Sequence, residues 1–149
     1  MIEEFQNKSA EEKIQTSKIK LMDDHPFYAY VAEYVNIIEI DPEVSDLPTA
    51  AVDFRGNMYY NPEFVSDLPQ SEITGLIAHE LLHIILEGKQ RRRGRKAQKW
   101  NIAQDIIINY IVTKDGLELP EVPYIPDSNG ELHIDGCVHI EEISDETFE

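Results

Sequence analysis

His79-Glu80-Leu81-Leu82-His83 is the segment of this 149-residue chain best suited to chemistry. Residues four apart share one face of a helix and lie about 6 Å apart along its axis, so two imidazoles in this register can close on one ion. Zinc takes imidazole nitrogen at about 2.0–2.1 Å in tetrahedral surroundings, and three protein ligands leave one position for water. Glu80, beside the first histidine, can then lie next to that water without binding the metal. With five His in the chain, a random ordering yields about 0.02 such patterns, few enough to be informative. The alternative is a pair of core histidines bonded to neighbours. That reading must compensate the desolvation of two imidazoles and a carboxylate within an apolar helix.

A third ligand has to come from elsewhere. Asp105 is the conspicuous candidate, an acid set among Ile102, Ile106, Ile107 and Ile108. Burying a carboxylate without a cation or donors costs several kcal/mol, on the order of the effective penalty for any buried ion, and a zinc ion would relieve it. Asn101, Asp105 and Asn109 share one helical face, so the two asparagines could orient a metal-bound carboxylate. Otherwise Asp105 is a capping or hydrogen-bonding acid. Glu87, His133, Cys137 and His139 are weaker candidates, and His25 before Pro26 reads as a helix-entry residue.

The elements that must position these groups follow from periodicity and punctuation. Ser9 and Glu12 have capping-box spacing and open a polar helix to about Met22. Phe27, Tyr30, Val31, Tyr34, Val35 and Ile38 recur at helical intervals, predicting a second helix that Pro42 stops. Ala51–Arg55 and Met58–Tyr60 flank Gly56 and Asn57, a pair that tolerates positive φ, and so predict a β-hairpin. Asn61 and Pro62 cap and open a short helix through about Asp67. Ser71–Glu87 is apolar around nearly its whole circumference, as befits a buried central helix, with Gly88 as its stop. Another helix runs from about Gln98 to Lys114, ahead of Gly116. From 121 to 149 the Pro-rich, acidic sequence predicts an irregular tail after a core of about residues 20–120, all in one domain.

Thirteen Lys and Arg against 29 Asp and Glu leave a net charge of −16, which disfavours phosphate backbones and anionic lipid surfaces. Nucleic acid is therefore an improbable partner. Seven of the 13 basic residues fall within Lys89–Lys99, with no acid among them. That segment reads as a solvated loop, or as a docking site for an acidic protein partner or the acidic tail. The lone Cys137 rules out an internal disulfide and points to a reducing compartment. With an amino terminus unlike a signal peptide and no long apolar run, a cytoplasmic location and no membrane span are expected.

Asp24–Phe27, Thr49–Ala51, Tyr60–Val65, Ala78–His83, Arg92–Arg95, Trp100–Asp105 and Leu119–Pro120 occur in an order that resembles the zincin-type metallopeptidase domain often found ahead of von Willebrand factor A-like domains in bacterial proteins. These blocks extend over roughly two thirds of the chain. The resemblance implies an α+β class with a minimal zincin-like fold: mostly helical, with a small sheet ahead of the helix bearing His79, Glu80 and His83, and Asp105 on the next helix. It implies zinc-dependent hydrolysis of a peptide or protein substrate, with Glu80 as the general base. Met58–Tyr60 is the expected edge for an extended substrate, and Tyr59, Tyr60 and Tyr110 are candidate oxyanion partners. A metal-binding interaction module without turnover is the competing reading.

Overall fold

The structure is a computed structural model that describes residues 2–53, 55–86 and 92–120. Gly88, most of the first half of the basic segment, and the tail with His133, Cys137 and His139 lie outside the described residues, as does Glu87. The elements run in the order α1 (Ile2–Gln6), α2 (Ala10–Asp24), α3 (Pro26–Ala32), β1 (Ile37–Glu39), β2 (Ala50–Val52), β3 (Met58–Tyr60), α4 (Pro62–Ser66), α5 (Gln70–Ile85) and α6 (Ala97–Lys114). The class is α+β, in agreement with a minimal zincin-like fold.

Local chemistry sets most of the boundaries. Ser9 Oγ accepts from the Glu12 backbone N–H at 3.2 Å and starts α2. The Asn61 side chain does the same for Glu63 at 2.9 Å, with Pro62 in the first turn of α4. Gly116, at φ +84°, ends α6, and the Leu117 N–H returns to the Val112 carbonyl at 3.1 Å.

The second helix is shorter than its periodicity predicts. It ends at Ala32, and Ile37–Glu39 instead forms β1, in parallel register with Met58–Tyr60. Tyr30 and Tyr34, two members of the helical pattern, are 65% and 77% exposed, so continuing the helix through them would bury little. The β-branched pair Ile37 and Ile38 suits a strand, and pairing with a distant segment decides the outcome.

The hairpin forms as expected, and its connection is held by one acid. Asp53 accepts from the backbone N–H groups of Arg55 and Asn57, from the Asn57 amide and from the Tyr59 hydroxyl, all at 2.8–2.9 Å. These donors hold its carboxyl well below the ordinary range, the Asn57 backbone bond being the strongest. Strand order is β1-β3-β2, which corrects the expectation of an open edge at Met58–Tyr60: β3 is central, flanked on both sides. The open edges beside it belong to β1 and β2. Thr49 pairs with Asn61 and Asp53 with Asn57 through backbone bonds, so alternation turns the peptide groups of Ala50 and Val52 away from β3.

The core gathers Ile14 and Leu21 of α2, Met58 and Tyr60 of β3, Ile73, Ile77 and Leu81 of α5 and Ile108 and Val112 of α6, all nearly or fully buried. Each such side chain contributes about 1.5–3 kcal/mol of hydrophobic stabilisation. Lys13 is buried among them and donates to the Ser66 carbonyl at 2.8 Å, satisfying the end of α4. After α6 the chain crosses α5 at Gly75, where a β-carbon would collide with the Glu118 carbonyl oxygen. Ser71 Oγ donates to Glu118 Oε2 at 2.8 Å and fixes that crossing.

Candidate metal centre

The apolar circumference of α5 places it in the middle of the packing, against α2, α3, β2 and α6. His79 and His83 lie one turn apart on its α6-facing side. Their Nε2 atoms are 3.2 Å apart, and Asp105 Oδ1 lies 3.3 Å from His79 Nε2 and 3.0 Å from His83 Nε2. One nitrogen of each imidazole and one carboxylate oxygen therefore point at a common space. Among the described residues, this is the group of three or more acids, histidines or cysteines that could hold a metal ion.

The donor spacing provides a test of fit. Ligand atoms around a tetrahedral zinc at 2.0–2.1 Å are separated by about 3.3 Å. The observed edges of 3.0–3.3 Å have that size, and one carboxylate with two imidazoles is a donor set that zinc accepts. The side chains of His79 and His83 are 12% and 16% exposed, and that of Asp105 is 33% exposed, so the cluster opens to solvent on the acid's side.

Electrostatics tie the three together. Burial pulls His79 toward the neutral form, but the hydrogen bond to Asp105, the charges of Glu80 and Asp105, and Asn109 outweigh it and leave the imidazole above its ordinary value. Burial pushes Asp105 upward, and the hydrogen bonds and charges of His79 and His83 outweigh that, bringing its carboxyl to about 2. Glu80 is only 6% exposed, and its charge acts on His79.

α5 and α6 run antiparallel across the site, His79 meeting Asp105 and Asn109 while His83 meets Gln104 and Asp105. Asn109 is 1% exposed and acts on His79, whereas Asn101 passes the end of α5 and is exposed, contrary to the expectation that both asparagines serve the site. Gln104, whose Oε1 lies 3.4 Å from His83 Nδ1, is the residue that sequence reasoning missed. Its one visible signal was a polar side chain beside Asp105 on an otherwise apolar helix.

The tyrosines considered for an oxyanion role have other partners. Tyr59 donates to Asp53 at 2.8 Å, Tyr60 to Glu39 at 3.3 Å, and the Tyr110 hydroxyl accepts from Lys114 at 3.4 Å. In the described part of the basic segment, Arg93 and Lys96 are exposed, and the Arg95 guanidinium lies 5.1 Å from the Trp100 ring centre. No helix among the described residues is long and apolar enough to cross a membrane.

A small sheet beside a helix with two histidines one turn apart, and an acid from the next helix, define a zincin-like class of metal-site protein. Residues 9–138 match the family described as "putative metallopeptidase domain", and the chain belongs to that family. No curated protein and no solved structure shows significant similarity to it.

Proposed function

We propose that this protein is a zinc-dependent peptidase in which His79, His83 and Asp105 hold the metal and Glu80 is the general base. The observation that supports the reading most directly is the convergence of three donor atoms at 3.0–3.3 Å, the edge length a tetrahedral ion requires. A divalent ion held there by His79, His83 and Asp105 would supply Lewis acidity to a scissile carbonyl and would lower the pKa of a water to about 7. Glu80 accepts the proton of the attacking water and passes it to the amine nitrogen as the peptide bond breaks.

The open edge of β2 supports a peptide as substrate. Ala50 and Val52 turn their N–H and C=O groups outward, and an extended chain can pair with them backbone to backbone. The hairpin also reaches the histidine end of α5: a β-carbon at Gly56 would sit 3.8 Å from Ile84 Cγ2, next to His83. Exposed Arg93 and Lys96 are the described residues at which an acidic partner would dock.

The test pairs the wild-type chain with Glu80→Gln, both purified without chelator. Elemental analysis should find about one zinc per chain in each, and a quenched fluorescent peptide library should be cut only by the wild type, with the variant down by about 10²–10⁴-fold. Zinc in both with turnover in neither would make the domain a metal-binding module. Zinc in neither would remove the metal centre altogether.

A further inference from the structure

The 13 basic residues are unevenly placed for a chain of net charge −16. Seven fall within residues 89–99, in the connection from α5 to α6, and Arg55 stands in the turn of the hairpin. The two places are distant in sequence, yet the fold brings both to the His83 end of the metal cluster. His83 is two residues from the end of α5 at Ile85, after which the connection begins. The hairpin turn reaches the same end, because a β-carbon at Gly56 would sit 3.8 Å from Ile84 Cγ2.

Trp100 anchors the described part of the connection. It is 7% exposed, and the Arg95 guanidinium lies 5.1 Å from its ring centre. A guanidinium is attracted to an indole face, while its N–H donors stay in its own plane, where a carboxylate can meet them. Gln104 is one turn farther along the same side of α6, about 6 Å of rise, and its Oε1 lies 3.4 Å from His83 Nδ1. Arg95 thus stands roughly one helical turn from the level of a metal-facing histidine. Arg55, Arg93 and Lys96 are exposed, and among the described residues they form no ion pair.

We propose that the substrate of this site is an acidic peptide segment, with Arg55 and Arg95 holding a carboxylate side chain two to four residues from the scissile bond. The inference rests on the peptidase reading above and deepens it. β2 leads directly into the hairpin turn, so an extended chain paired with its edge has one end beside Arg55. Such a chain advances about 3.3 Å per residue and covers the rise from Gln104 to Trp100 in two residues, and the reach of an arginine widens that range.

The local field decides the sign of the preference. A net charge of −16 repels an acidic peptide from afar, but the Debye length is about 8 Å at physiological salt, so nearby cations govern a bound segment. Residues 89–99 include no acid, and Asp53, the acid of the hairpin turn, is taken up by four donors. Nucleic acid fits less well, because a charge at every nucleotide carries it past the patch into the acidic remainder of the molecule. The cations choose among chains already extended, so unfolding stays the condition for entry.

The test uses the zinc-loaded full chain and quenched fluorescent peptides cut by the wild type, with Glu or Gln placed in turn at each of the four positions on either side of the scissile bond. Glu should raise kcat/KM about 10-fold over Gln, on one side of the bond only, and the ratio should shrink as salt rises from about 0.05 to 0.5 M. Arg95→Gln and Arg55→Gln should each lower that ratio about threefold or more, whereas Arg95→Lys, which keeps a cation over Trp100, should retain most of it. Lys20→Gln removes the same charge from α2 and should leave the ratio unchanged. Zinc content and melting temperature verify that each variant is folded and loaded. Equal cutting of Glu and Gln peptides, or a ratio that falls as far in Lys20→Gln as in Arg95→Gln, overturns this inference and leaves the peptidase standing. An oligonucleotide that displaces the peptide at a lower concentration than unlabelled Glu peptide does also overturns it. A zinc-loaded chain that cuts no peptide overturns the peptidase reading itself, and the acid preference with it.

Discussion

His83 Nε2 and Asp105 Oδ1 lie 3.0 Å apart although the two residues are 22 positions distant and sit on different helices. The site therefore exists only when α5 and α6 are docked, and anything that binds it must also stabilise the folded chain.

That linkage is measurable by melting. Zinc at 100 times its dissociation constant should add about 2.7 kcal/mol to the stability of the wild type. Asp105→Ala should weaken zinc binding at least 100-fold by competition titration and erase most of the added stability. A variant that melts and binds as the wild type does would remove Asp105 from the ligand set.

The metal-free and zinc-bound proteins should respond to pH in opposite directions. Asp105, at about 2 in the folded chain against about 3.9 unfolded, contributes stability that is present above about pH 4 and lost toward pH 2. His79, raised from 6.5, contributes stability that is complete below 6.5 and lost as the pH climbs through its folded value. Zinc needs unprotonated imidazoles, so its increment grows over that same rise. Melting curves in chelator and in excess zinc from pH 4 to 9 check both signs, and an increment that shrinks with rising pH would contradict the histidine assignment.

Gly75→Ala should destabilise the fold without touching a ligand. The new methyl group would meet the Glu118 carbonyl, so α5 and the crossing segment must part. Overpacking of this kind costs about 1–3 kcal/mol, to be read from the urea midpoint. An unchanged midpoint would mean that the segment after α6 yields freely.

Asp53→Asn tests the hairpin. The acid's carboxyl is lowered by the donors around it, so its contribution is present above about pH 4 and lost as the pH falls below that. The variant should lose less stability than the wild type on acidification from pH 5 to 2, as followed by circular dichroism. Identical acid profiles would show that the carboxylate's charge is immaterial to the turn.

Sequence patterns reached α5 and α6 because their apolar repeats, Pro69 and Gly116 are local signals, and they singled out His79, His83 and Asp105 as polar groups costly to bury. They failed at Ile37–Glu39, where partners 21 positions away in β3 override a helical repeat in the segment itself. Gln104 escaped notice for a related reason. Which of several polar residues on α6 turns inward depends on how far α5 extends alongside it, a length set by tertiary packing. The same geometry separates Asn109 from Asn101, though the two are equally spaced from Asp105.

Each open edge of the sheet, that of β2 included, is only three residues long. A strip that short offers too few hydrogen bonds for two copies to zip together, so the molecule can leave it bare at little risk of self-assembly. A guest that pairs through main-chain atoms must first be unwound over several residues. For the peptidase proposed above, compact proteins would then escape attack, and how readily a target unfolds would govern its fate more than its side chains.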